Sequence, residues 1–170
     1  MRIGLIALSA LVLVVLAVVV IGMLLPKQHL VSRRASYRAT PEELYALIAG
    51  PQGWRPDVLH EEAVADDGGR ELRREKTRNG ETIDYELLDG MPARSIKRRI
   101  ATENLPYSGS WTFSLQPNGE ATTVRITESG EVYNPLFRFV SRFVLGQTRT
   151  MDAYLLALAK ATHQQVSIQD

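Results

Sequence analysis

Residues 109–135 read GSWTFSLQPNGEATTVRITESGEVYNP, and the reading of this stretch decides the fold. Trp111, Phe113 and Leu115 alternate with polar residues; after Asn118-Gly119, Val124, Ile126 and Val132 share one parity. A period of two marks a strand with one apolar face, and Asn-Gly reaches positive φ at little cost. Together they predict an antiparallel hairpin of strands 109–116 and 122–132. Asn134-Pro135 then starts a helix, because the Asn side chain caps free amides and proline lacks only an amide that would be unpaired there.

Upstream, short alternating segments at 58–65, 71–77, 82–88 and 94–102 extend the hairpin into an antiparallel meander. Asp67-Gly68-Gly69, Asn79-Gly80 and Asp89-Gly90 supply the turns. Before them, Thr40-Pro41-Glu42-Glu43 is a capping-box start for a helix carrying Leu44, Leu47 and Ile48 on one face, and Gly50-Pro51-Gln52-Gly53 ends it. Residues 29–38 read as the first strand. Downstream, 100° steps from Pro135 to about His163 gather Leu136, Val140, Phe143, Val144, Gln147, Met151, Tyr154, Leu155 and Leu158 on one face. Arg138, Arg142, Arg149 and Lys160 fall opposite, so the pattern predicts one long amphipathic helix with Gly146 as a candidate kink. Residues 166–170 are expected to fray.

The amino-terminal end has a different character. Residues 3–25 carry no charge and are almost wholly aliphatic, long enough at ~1.5 Å per residue to cross a ~30 Å hydrocarbon core. The exit Met23-Leu24-Leu25-Pro26-Lys27 lacks a small-residue cleavage site, so residues 1–26 read as an uncleaved transmembrane anchor rather than a secretory signal. A single-pass protein of the plasma membrane, or of the inner membrane if bacterial, follows, with one domain over 27–165. Lys27, Arg33, Arg34 and Arg38 favour a cytoplasmic domain, Arg2 and the short amino-terminal tail favour the reverse, and the side stays open.

Composition narrows the chemistry. Twenty Lys+Arg against 19 Asp+Glu leave a net charge of +1, so no global field selects nucleic acid. With no cysteine, disulfides, thiolate metal sites and a cysteine nucleophile are excluded. His29, His60 and His163 lack metal-ligand spacing, and the chain has neither a G-x-S-x-G elbow nor a glycine-rich phosphate loop. No metal and no cofactor is expected.

The order of strand, short helix, meander and long final helix resembles the α+β helix-grip fold of the START and Bet v 1-like superfamily. Carrying the resemblance are Thr40-Pro41-Glu42-Glu43-Leu44-Tyr45, Trp54, Trp111-Thr112-Phe113, Glu128-Ser129-Gly130-Glu131 and Asn134-Pro135. Within the superfamily these are similar to the polyketide cyclase/dehydrase branch often called SRPBCC, including its membrane-anchored members. The resemblance implies a curved sheet wrapped around the final helix, with a cavity between them for a lipid, sterol, polyketide or other apolar molecule. Trp54, Tyr85, Trp111, Phe113, Phe143 and Met151 are then expected to line it, Met151 adapting to different ligands. The same apolar faces would equally fill a solid core, leaving a closed interaction module.

Two charged residues share parity with apolar neighbours: Glu128 with Val124 and Ile126, and Arg98 with Ile96 and Ile100. Strict alternation points both inward, where they would pair or hold a ligand headgroup, whereas a one-residue bulge would turn both to solvent. Some members of the superfamily are cyclases, dehydratases or hydrolases. An acid–base role for Glu128 beside Arg98, with Tyr85 and Tyr107 as further candidates, is therefore the alternative to simple binding. Arg73-Arg74-Glu75-Lys76 and Lys97-Arg98-Arg99, with Arg138, Arg142 and Arg149 of the final helix, form either a face toward anionic lipid or a solvated surface balanced by Glu71, Glu75 and Asp84.

Overall fold

A computed structural model describes residues 2–66 and 68–170. Helix α1 (Arg2–Leu24) leads into strand β1 (Gln28–Tyr37) and helix α2 (Pro41–Ala49). Six strands follow: β2 (Val58–Ala65), β3 (Glu71–Thr77), β4 (Thr82–Met91), β5 (Ser95–Ile100), β6 (Tyr107–Asn118) and β7 (Ala121–Val132). The chain ends with helix α3 (Pro135–Val140), a π-helical turn at Ser141–Leu145, and helix α4 (Arg149–Ala161). The seven strands form one antiparallel sheet in the order β1-β7-β6-β5-β4-β3-β2, a meander that β1 joins through its pairing with β7. This is the α+β helix-grip architecture that the element order predicts.

Local chemistry accounts for the elements. Thr40 Oγ1 accepts from the Glu43 amide at 3.2 Å and Glu43 returns a bond to the Thr40 amide at 2.9 Å, closing the capping box. The β6–β7 hairpin runs without a register shift from Tyr107↔Val132 to Asn118↔Ala121 around Gly119, as Asn-Gly allows. On the concave face Tyr37, Ile96, Phe113, Val124 and Ile126 meet Leu44 and Ile48 of α2 and Met151, Leu155 and Leu158 of α4. The Tyr37 hydroxyl donates to the Leu155 carbonyl at 2.8 Å, tying the first strand to the last helix; burial raises its pKa well above the usual tyrosine range.

Four expectations are corrected. The single long final helix is two helices, because Gly146 adopts φ 77° and ψ 138°, a conformation open to glycine but not to a helical residue. The halves have different partners: α4 packs on the sheet, whereas α3 packs on α1. Burying Met151, Leu155 and Leu158 contributes roughly 5–9 kcal/mol, which lets α4 follow the sheet instead of continuing the axis of α3. Arg138, expected on the polar face, is buried, and its guanidinium donates to the carbonyls of Gly22, Leu25, Val132 and Tyr133. Asp89-Gly90 is not a turn: a bulge between Leu87 and Asp89 carries β4 on to Met91, and Ala93 takes positive φ in the following turn. The carboxyl-terminal tail is tied down, since Arg34 and Gln169 exchange backbone bonds of 2.9 Å and Val166 and Ile168 pack on the core. The tail thereby covers part of the edge that β1 would otherwise leave open.

Within α1, Ile6–Leu24 is long and apolar enough to cross a membrane, and most of its side chains are exposed.

Candidate ligand site on the concave face

One transverse row of the sheet, read across β4, β5, β6, β7 and β1, aligns Leu87, Arg98, Trp111, Glu128 and Val31, with Leu87 exposed at its open end. No bulge interrupts β5, β6 or β7, so Arg98 and Glu128 keep the inward orientation that alternation gives them. They do not pair with each other. Trp111 stands between them, and two strand spacings of about 4.8 Å separate their backbones. Glu128 instead accepts from Trp111 Nε1 at 2.8 Å and contacts His29 Nε2 at 3.0 Å. Gly130 makes this possible, because a Cβ there would run into the His29 ring.

Arg98 belongs to a second group, built where the end of α2 meets β2, β3 and β5. Its guanidinium donates to the Ile48 carbonyl and lies 3.5 Å from Glu75. Arg55, from the connector after α2, donates to the other Glu75 oxygen at 2.7 Å and lies over the Tyr154 ring at 5.3 Å. Glu61 and Glu75 are direct cross-strand partners, and Glu61 accepts from the backbone amide of Gln52. The Gln52 side-chain amide donates to the carbonyls of Ile48 and Gly50 and accepts from the Tyr154 hydroxyl at 3.1 Å. Trp54 Nε1 donates to Leu47 O at 3.0 Å. Trp54, Arg98 and Gln52 thus satisfy the carbonyls that the end of a helix leaves without partners.

Burial dominates the electrostatics of this group. It raises the pKa of Glu75; Arg55 and Arg98 oppose the shift, and Glu61 adds to it. The hydroxyls of Tyr85 and Tyr154 are raised chiefly by burial. Glu61 Oε1 and Glu75 Oε1 are both buried without a hydrogen bond.

Of the residues predicted for a cavity, Trp54, Trp111, Phe113 and Met151 are brought together in one packed cluster centred on Tyr154. The Tyr154 ring lies 5.2 Å from Trp54, 5.7 Å from Trp111 and 5.1 Å from Phe113, centroid to centroid. Tyr85 borders the cluster on the Glu75 side. Phe143 does not join it: the break at Gly146 turns that part of the chain away from the sheet, and Phe143 is 60% exposed. Tyr107, considered for chemistry, stacks on Phe137 at 5.8 Å. The basic runs do not form one face either. Arg74 is paired with Asp84 and Arg99 with Glu86, while Glu75 and Arg98 point inside. Two open grooves lie apart from this cluster. One, of about 620 Å³, lies where Gly109 and Gly130 face each other beside His29; the other, of about 570 Å³, lies between the end of α4 and the tail.

Sequence reasoning missed Gln52, Arg55, Glu61, Glu75 and Tyr154 as site residues. β3 reads ELRREKT, polar on both faces, and only its register opposite Ile83 reveals that Glu75 points inward.

No curated protein matches the sequence. Solved structures do match in fold. Norcoclaurine synthase from Thalictrum flavum is 13% identical over 81% of this chain and 88% of its own, with a TM-score of 0.62. A START superfamily protein from Mycobacterium smegmatis is 17% identical over 79% and 97%, with a TM-score of 0.60. Mll3558 from Rhizobium loti is 22% identical over 78% and 96%, with a TM-score of 0.58. Residues 28–162, from the start of β1 to just past α4, match the family model described as polyketide cyclase / dehydrase and lipid transport, and the chain belongs to that family.

Proposed function

We propose that this is a single-pass membrane protein whose helix-grip domain binds a small amphipathic molecule on its concave side and does not alter it. The apolar part would rest among Trp54, Trp111, Phe113 and Met151, and the polar end would meet Glu61, Glu75 and Arg98. The observation that carries this reading is the pair of buried carboxylate oxygens, Glu61 Oε1 and Glu75 Oε1, left without hydrogen bonds. Arg98 lies 3.5 Å from the Glu75 oxygen and Arg73 3.8 Å from the Glu61 oxygen, ion-pair contacts without hydrogen-bond geometry, so a ligand hydroxyl or ammonium group would supply the hydrogen bond that each oxygen lacks. The family's description, which includes lipid transport, supports the same class of ligand. Entry would require the Gly50-Pro51-Gln52-Gly53-Trp54 connector to swing outward, with Met151 adapting to the guest. The anchor part of the reading rests on α1, whose 19-residue stretch Ile6–Leu24 extends roughly 28 Å. Native mass spectrometry of the full chain, released gently from its own membrane, tests the proposal. A retained small molecule that is lost in Glu75→Leu is expected; a bare polypeptide mass from freshly prepared membranes would overturn it.

One observation favours an enzymatic reading instead. A carboxyl group with a raised pKa, enclosed beside Tyr85 and two arginines, is equipped to give or take a proton in cyclisation or dehydration chemistry. On this reading Glu75, rather than Glu128, is the acid. Turnover of a polyketide-like substrate that disappears in a folded Glu75→Gln protein would establish it.

A further inference from the structure

The segment PLFRFVSRFVL, residues 135–145, joins the last strand of the sheet to α4. Its helix α3 packs along α1. Among the described residues of α1, those not exposed are Val18, Val19 and Gly22, a single helix face. The approach is close: a Cβ at Gly22 would collide with the Pro135 backbone. Arg138 fixes the contact by donating to Gly22 O at 3.0 Å and Leu25 O at 2.8 Å, where a cation also complements the carboxyl-terminal end of α1. The covered face begins at Val18, six residues before the end of α1, about 9 Å down its axis.

On the side away from these contacts, Leu136 is 48%, Phe143 60% and Val144 68% exposed. The Phe139 and Phe143 rings touch, with centroids 5.0 Å apart. Arg142, exposed and bonded to Gln147, stands at the polar margin. A segment apolar outward, held beside the last two turns of a spanning helix and flanked by a flexible cation, matches the depth of roughly 5–10 Å at which interfacial helices lie.

We infer that residues 135–145 are a second membrane element: an interfacial segment that inserts Leu136, Phe143 and Val144 into the leaflet where α1 ends, the bilayer itself being the partner. Gly146 is then the hinge between the part of the chain that lies in lipid and the part that lies on the sheet. The proposal rests on the reading of α1 as a membrane span. It places the concave domain against the surface from which an amphipathic ligand would be drawn.

Because the chain has no cysteine, single substitutions can be spin-labelled without background. Phe143→Cys, Val144→Cys, Leu13→Cys and Lys160→Cys would be labelled in the full chain and reconstituted into phosphatidylcholine/phosphatidylglycerol vesicles. Collision with oxygen is then compared with collision with a water-soluble nickel chelate. Expected is an oxygen-to-nickel ratio at 143 and 144 several-fold above that at 160, approaching that at 13. If 13 reads as lipid while 143 and 144 read as water, the interfacial segment is wrong and the anchor stands. Spin–spin broadening with low collision for both reagents at 143 and 144 would assign the patch to a second copy and also overturn the proposal. If 13 itself reads as water, both readings fall.

Discussion

Replacing Tyr154 separates what holds the concave interior together from what merely lines it. Its hydroxyl donates to Gln52 Oε1 at 3.1 Å, and Gln52 in turn holds the end of α2. Tyr154→Phe keeps the three ring contacts and leaves the Gln52 oxygen buried without a donor, so a loss of about 1–3 kcal/mol is expected. Tyr154→Ala also removes a ring that is 4% exposed and touches Trp54, Trp111 and Phe113. Cavity formation and the lost ring pairs raise the cost to roughly 4–6 kcal/mol. Set against a total stability of roughly 5–15 kcal/mol, the alanine variant should be marginally folded and the phenylalanine variant plainly folded. Urea unfolding of the full chain in mild detergent, followed by far-ultraviolet circular dichroism, measures both. Equal midpoints for wild type and Tyr154→Phe, or an alanine variant no worse than the phenylalanine one, would refute the view of Tyr154 as the centre of the cluster.

Other expectations are brief. Because the Glu75 pKa is raised on folding, its contribution to stability is greatest below the unfolded pKa and is lost as pH rises through the folded one. Thermal midpoints measured from mildly acidic to neutral pH should therefore fall less steeply in Glu75→Gln than in wild type, and parallel slopes would contradict this. Gly130→Ala should push the His29 ring off Glu128 and cost about 1–3 kcal/mol by overpacking, with the shift read from the imidazole resonances. Thr40→Ala should cost about 1 kcal/mol through the lost cap, measured by the same unfolding assay.

Features that follow from short-range chemistry were legible in the residues. The β6–β7 hairpin is written in its alternation and Asn118-Gly119, and α2 in Thr40-Pro41-Glu42-Glu43. Parity offered an inward orientation for Arg98 and Glu128 beside a bulged, solvent-facing one, and the unbroken register of β5, β6 and β7 decides for the first. Parity did not reveal their partners, because a partner is set by which strand lies next door: Trp111 occupies the space between them, and Glu75 reaches Arg98 only after β3 is placed in the sheet. Glu75 itself was hidden in a strand polar on both faces. Residues 135–161 carry a helical apolar period throughout, yet they divide at Gly146 because α1 and the sheet draw the two parts along different axes. The role of Arg138 became readable only once the carbonyls at the end of α1 lay beside it.

The chain holds two tryptophans, Trp54 and Trp111, and both border the Tyr154 cluster. Intrinsic fluorescence therefore reports directly on the proposed site. Titrating the detergent-solubilised full chain with lipids extracted from its own membrane should give a saturable change in tryptophan emission, abolished in a folded Glu75→Leu protein. An emission spectrum unchanged by every fraction of that extract, in a protein shown to be folded, would contradict a ligand site on the concave face.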